Sequence, residues 1–101
     1  MRAANHPSLK DLSLTRVLHA LSDPVRLSIV RSIAACGEKA CGTFDLSVAK
    51  STASHHFRVL RESGVIEVRT EGVQSFNSLR RVDLNRRFPG LLDAVLRAGD
   101  S

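Results

Sequence analysis

At Gly64 the hydrophobic periodicity of this chain changes from helical to alternating, and that change limits its possible folds more than any other feature. Upstream, Lys50 to Glu62 carries Ala53, Phe57 and Leu60 at the i, i+4, i+7 spacing of one helical face, and Ser63-Gly64 is a helix stop. The rest of that helix surface is polar, with Lys50, Ser51, Ser54, His55, Arg58, Arg61 and Glu62 opposite the stripe. Downstream, Val65-Ile66-Glu67-Val68-Arg69-Thr70 and Val73-Gln74-Ser75-Phe76-Asn77-Ser78-Leu79 alternate around the turn signal Glu71-Gly72. This pattern predicts a β-hairpin. The fold class expected is mainly α with one hairpin.

The remaining segments are helical in period. Leu14, Val17, Leu18 and Leu21 lie on one face of a helix predicted from Leu9 to Leu21, with Ser8-Leu9-Lys10-Asp11 as its capping start. In Leu21-Ser22-Asp23-Pro24 the aspartate can accept from free backbone N–H groups, and the proline takes the first helical position, where its missing N–H costs nothing. The helix opened there turns Leu27, Val30, Ile33 and Ala34 inward and Arg26 and Arg31 outward, and stops at Cys36-Gly37. Gly42, Phe44, Leu46 and Val48 suggest a short helix and a turn before Lys50. After the hairpin, Asp83 and Pro89 each open a helical turn, and Leu84, Phe88, Leu91, Leu92, Val95 and Leu96 form a final apolar face. The order α-α-α-α-β-β-α is that of a winged helix-turn-helix domain, which places one helix in the DNA major groove and the hairpin against the backbone or minor groove.

Composition agrees with this. A chain of 101 residues, 43% hydrophobic and 25% charged, is read as one folded domain over residues 1–101 rather than a disordered or low-complexity polymer. Its core is small, so a partner subunit would add considerably to its stability. The net charge of +5 is concentrated between Lys50 and Arg87. There Lys50, Arg58, Arg61, Arg69, Arg80, Arg81, Arg86 and Arg87 face only Glu62, Glu67, Glu71 and Asp83, which points to a polyanionic partner. With no run of about 18 apolar residues and no apolar leader, neither a membrane span nor a secretory signal is expected, and the location expected is cytoplasmic. Two cysteines, Cys36 and Cys41, are too few for the disulfide framework of a small secreted domain.

The polar helix has the chemistry of a DNA reader. Ser51, Thr52 and Ser54 offer short hydroxyls to phosphates or base edges, His55 and His56 reach further, and Lys50 and Arg58 neutralise phosphate. His56 also borders the apolar stripe, so a half-buried histidine bonded to the backbone is an equal alternative. Of the two arginines on this helix, Arg58 is the better DNA contact, while Arg61 can pair with Glu62 or Glu67. In the hairpin, Arg69, Thr70, Gly72 and Gln74 either reach a groove or simply form an exposed tip. Arg80, Arg81, Arg86 and Arg87 strengthen the field.

Three stretches together resemble the ArsR family of bacterial regulators: Ala20-Leu21-Ser22-Asp23-Pro24-Val25-Arg26-Leu27-Ser28-Ile29-Val30, Lys50 through Ile66, and Arg69-Thr70-Glu71-Gly72. The resemblance runs from about Leu14 to Leu79. It implies a homodimeric repressor that binds a near-palindromic operator in double-stranded DNA until an inducer weakens it. The helix Lys50 to Glu62 would be the recognition helix, Val65 to Leu79 the wing, and the first and last helices the dimer interface, through Leu14, Val17, Leu18, Phe88, Leu91, Leu92, Val95 and Leu96. The metal-sensing members carry a Cys-x-Cys motif, or His and acidic ligands on the last helix. Here Ala40-Cys41-Gly42-Thr43-Phe44-Asp45-Leu46 has one cysteine, and 83–101 has neither His nor Cys. No metal and no cofactor are expected.

Cys36 and Cys41 are read as ordinary thiols, with a redox switch as the alternative. Ala49 stands where a hydroxyl would cap the recognition helix, leaving its first turn less firmly held. No nucleophile constellation, glycine-rich phosphate loop or paired-carboxylate site is present, so catalysis is not expected. The alternative from another class is a winged-helix protein-interaction module, which would not need a recognition face of Lys50, Ser51, Ser54, His55 and Arg58.

Overall fold

The corner at Asp23-Pro24 organises the helical half. In the computed structural model, which describes residues 6–40, 44 and 46–98, Asp23 is extended and its Oδ2 accepts from the N–H groups of Val25 (2.8 Å) and Arg26 (3.1 Å). Helix α1 (Leu14–Leu21) ends just before this cap and α2 (Pro24–Cys36) begins just after it. Gly37, at φ +84°, closes α2 in a conformation that glycine adopts without a Cβ penalty. The first helix is shorter than its apolar pattern suggests. Leu9–Asp11 forms a separate 3₁₀ turn, and the cap of α1 is Ser13, whose hydroxyl accepts from the Arg16 N–H.

After α2 the chain forms a strand that alternation does not announce, β1 (Glu38–Ala40). Helix α3 (Lys50–Ser63) follows, then β2 (Ile66–Glu71) and β3 (Gln74–Leu79). The sheet is antiparallel in the order β1-β3-β2. Phe76 of β3 is aligned with Arg69 on one side and Ala40 on the other. The predicted hairpin is present, joined by the two residues Gly72 and Val73, so each strand lies within a residue of expectation. The expected short helix falls partly on residues outside the description, Cys41 to Thr43 and Asp45; Phe44 and Leu46 to Ala49 are not helical. The single final apolar face divides into α4 (Arg81–Arg87) and α5 (Leu91–Ala98), broken at Phe88-Pro89-Gly90 with Gly90 at φ +83°.

The core is one cluster: Leu12, Val17, Ala20, Leu21, Ile29, Val30, Ile33, Leu60, Val65, Ile66, Leu84 and Leu92. Gly64 ends α3 in the left-handed conformation (φ +86°, ψ +10°), packed so tightly under the Leu12 side chain that a Cβ there would collide with it. The helix stop visible in the sequence is therefore also a close approach between the N-terminal segment and the end of α3. No helix among the described residues is long and apolar enough to cross a membrane.

Two of the residues read as dimer contacts are core residues of the single chain. Val17 and Leu92 are 1% and 2% exposed, so neither offers surface to a partner. Leu14 and Leu18 remain 45% exposed on α1, and Phe88, Leu91, Val95 and Leu96 are half-buried at the edge of the core.

Candidate nucleic-acid interface

Helix α3 buries one side and displays the other. Leu60, His56 and Ser63 are buried and Ala53, Phe57 and Val59 half-buried, whereas Lys50, Ser51, Ser54, His55 and Arg58 are exposed. At about 100° per residue these five share one flank of the helix, so hydroxyls, an imidazole and two cations converge on a single surface. Thr52 is exposed but turns toward the opposite flank, and Glu62 closes the C-terminal end of the face. As its sequence predicts, α3 has no side-chain cap at Ala49, and no acidic residue lies in its first turn. Phe44 meets Phe57 edge-on at 5.0 Å between ring centroids, which braces the half-buried flank.

His56 is not on this surface. It is 8% exposed, and its Nδ1 lies 3.1 Å from the Nη1 of Arg26, so the reading of His56 as a DNA contact is corrected to that of a buried structural histidine. Arg26, expected to point outward, is likewise buried at 6% exposure. The reason is tertiary: α2 passes behind α3, and the guanidinium is satisfied by carbonyls at the end of α1.

The wing places Thr70, Glu71, Gly72, Val73 and Gln74 at its exposed end. Arg69 is half-exposed, but two carboxylates already engage it. Its Nη2 and Nε donate to Glu38 at 3.0 and 3.2 Å, its Nη1 donates to Glu71 at 3.1 Å, and its guanidinium lies 4.8 Å from the Phe76 ring centroid. Hydrogen bonding to Arg69 holds the Glu38 carboxyl below its ordinary range, and Glu38 and Glu71 keep the guanidinium firmly charged. Glu38 is a participant that sequence reading missed, because it belongs to the unannounced strand β1.

Of the other arginines, Arg80 is buried and tied to Asp83 (2.9 Å) and the Pro7 carbonyl (2.7 Å). Arg81 pairs with Asp93, Arg87 donates to the Leu9 and Lys10 carbonyls, and Arg86 is exposed. His6 was also missed: its Nε2 accepts from the Val68 N–H at 3.0 Å and pins the N-terminal segment to β2. Burial lowers the His6 pKa; the carboxylate of Glu67 opposes this, while Arg80 and Arg61 add to it. Cys36 is exposed; Cys41 lies outside the described residues. No cluster of three His, Cys, Asp or Glu side chains able to hold a metal occurs among the described residues.

A polar, cationic helix face standing beside a three-stranded wing defines a winged helix-turn-helix DNA-binding domain. A model described as "Helix-turn-helix domain" matches residues 21–69. The chain is 35% identical over 83 residues to the "Uncharacterized HTH-type transcriptional regulator YceK" of Bacillus subtilis (strain 168), covering 79% of this chain and 83% of that one. It is 34% identical over 62 residues to the HTH-type transcriptional regulator MJ1325 of Methanocaldococcus jannaschii, covering 59% and 70%. Among solved structures, the transcriptional repressor BigR from Xylella fastidiosa superposes with a TM-score of 0.66 at 29% identity, over 87% of each chain. An ArsR family transcriptional regulator superposes with the same TM-score at 17% identity, over 87% of this chain and 98% of its own, and shares the fold. The chain belongs to the helix-turn-helix transcriptional regulators and has the winged-helix fold of an ArsR family member, the fold that its three motifs suggested.

Proposed function

We propose that this regulator is a homodimeric, cytoplasmic repressor that lays α3 of each subunit in successive major grooves of a near-palindromic operator, about 34 Å apart. The observation that carries this reading is the exposed face of α3, which supports Ser51, Ser54 and His55 as readers of base edges and Lys50 and Arg58 as phosphate contacts. Support for repression comes from the repressor BigR, whose fold and 29% identity make it a relevant relative. Support for pairing comes from Leu14 and Leu18, two large apolar side chains left 45% exposed on α1. The half-buried Leu91, Val95 and Leu96 of α5 are candidates to extend that surface.

The test is to select a duplex from a random pool with the purified chain, footprint it, and measure the mass of the complex in solution. A homodimeric reader gives two protected half-sites about one helical turn apart, bound by two chains. A single protected half-site bound by one chain contradicts the pairing. Loss of reporter expression when the selected site is placed in a promoter supports repression, and a rise contradicts it.

A further inference from the structure

The start of α3 has no side-chain cap, the apolar packing of Leu60 is non-directional, and the edge-on contact of Phe57 with Phe44 is only half-buried, so none of these alone fixes the rotation of the helix about its own axis. One buried contact is directional. The Arg26 guanidinium uses three of its nitrogens on three separate groups: Nε donates to the Ala20 carbonyl (2.8 Å), Nη2 to the His19 carbonyl (3.1 Å), and Nη1 approaches His56 Nδ1 (3.1 Å). The two carbonyls belong to the last turn of α1; that of His19 also accepts from the Ser22 N–H (3.2 Å) and hydroxyl (2.7 Å), whereas that of Ala20 meets Pro24 four residues on, which has no N–H to offer.

A guanidinium only donates, so His56 must present the Nδ1 lone pair and carry its ring proton on Nε2. That nitrogen lies 3.9 Å from Asp23 Oδ2, the same oxygen that caps α2. The end of α1, the start of α2 and the middle of α3 therefore meet at one guanidinium.

We propose that Arg26 and His56 are positioning residues for DNA reading. Their contact sets the rotation of α3 so that Ser51, Ser54, His55 and Arg58 face the groove together. His56 directly follows His55, and their rings stand 5.7 Å apart, so a turn of α3 that displaced the buried imidazole would swing the exposed one by the same angle. The inference rests on the reading of α3 as the DNA-contacting helix. Buried directional contacts of this kind select one arrangement among several that apolar packing would accept.

The experiment compares the full chain with His56→Leu, His56→Asn and Arg26→Lys on two fluorescent duplexes, one selected by the wild type from a random pool and one scrambled. Circular dichroism melts report folding. In His56→Leu the ratio of the scrambled to the selected dissociation constant falls by about tenfold, with helix content unchanged. In His56→Asn, whose Oδ1 stands in for Nδ1 as acceptor, most of the ratio returns. Arg26→Lys, with one donor head in place of three separated nitrogens, behaves like His56→Leu. A wild-type ratio in His56→Leu overturns the proposal, as does equal loss in the Leu and Asn variants.

If His56→Leu fails to fold, long-range ¹⁵N correlation spectra of the wild type near pH 7.5 decide the matter. A ring protonated only on Nε2 supports the contact; a ring carrying a proton on Nδ1 overturns it. Failure of the wild type itself to distinguish any duplex would instead refute the reading of α3, and this proposal would fall with it.

Discussion

Replacing Glu38 by Gln should tighten DNA binding, although Glu38 lies on no surface expected to touch DNA. In the folded chain the Arg69 guanidinium is held across β3 by Glu38 (3.0 and 3.2 Å) and by Glu71 (3.1 Å), so this wing cation is screened where a phosphate would meet it. Glu38→Gln removes one of the two carboxylates and leaves the shape of the side chain nearly intact. Each newly neutralised phosphate steepens the dependence of log affinity on log salt by about 0.9. One such contact per wing, and two wings per dimer, gives up to about 1.8, so affinity falls by up to about twelvefold more between 50 and 200 mM salt than in the wild type.

The gain should be equal on selected and scrambled duplexes, because a phosphate contact carries no sequence information. Thermal stability should barely change, since exposed ion pairs contribute little. The assay is fluorescence anisotropy across a salt series, with Arg69→Ala and the double variant completing a cycle. In the Arg69→Ala background the added steepness should vanish. An unchanged slope in Glu38→Gln, or the same increase without Arg69, would refute the idea that Glu38 restrains the wing.

Other substitutions test the frame that holds this surface. Asp23→Ala removes the cap of α2 and should cost about 1 kcal/mol, lowering the melting temperature by roughly 4 to 8 °C, whereas Asp23→Asn keeps most of the cap. Partial burial pushes the Asp23 carboxyl upward, but the N–H groups of Arg26 and Val25, with His56 and Arg26 nearby, outweigh it and lower its pKa. Its contribution is therefore complete above the unfolded value of about 3.9 and lost as pH falls further, so the gap between wild type and Asp23→Ala in urea titrations should shrink on acidification. The His6 pKa is lowered by burial, so the unfolded chain takes up the proton first and stability should decline as pH falls through about 6.5; the decline should be smaller in His6→Ala. Leu14→Asp combined with Leu18→Asp should yield folded monomers in sedimentation, because both side chains are already half-exposed. A dimer surviving both changes would remove α1 from the pairing surface.

Features set by short stretches of chain were legible. Asp23-Pro24 specifies a helix start from two residues, Gly64 a stop, and Glu71-Gly72 a turn within a residue of its true place, because each depends on backbone chemistry a few positions away. The exposed part of the α3 face was legible for the same reason. What escaped the sequence depends on distant partners. Strand β1 has only three residues and exists by pairing with Phe76 to Ser78. Arg26 is buried because α3 supplies an imidazole thirty residues away, and His6 is ordered against Val68, sixty-two residues away. Apolar periodicity also does not distinguish a chain's own core from a partner's, which is why Val17 and Leu92 were grouped with Leu14 and Leu18.

The central claim is that the exposed face of α3 reads sequence while its cations supply sequence-independent attraction. It is tested most directly by salt-dependent binding of Ser54→Ala and Arg58→Ala to the selected and scrambled duplexes. Ser54→Ala should lower affinity for the selected duplex alone and leave the salt slope unchanged. Arg58→Ala should weaken both duplexes alike and flatten the slope by about 0.9 per subunit. Equal losses on both duplexes for Ser54→Ala, or an unchanged slope for Arg58→Ala, would contradict the assignment of α3 as the reading helix.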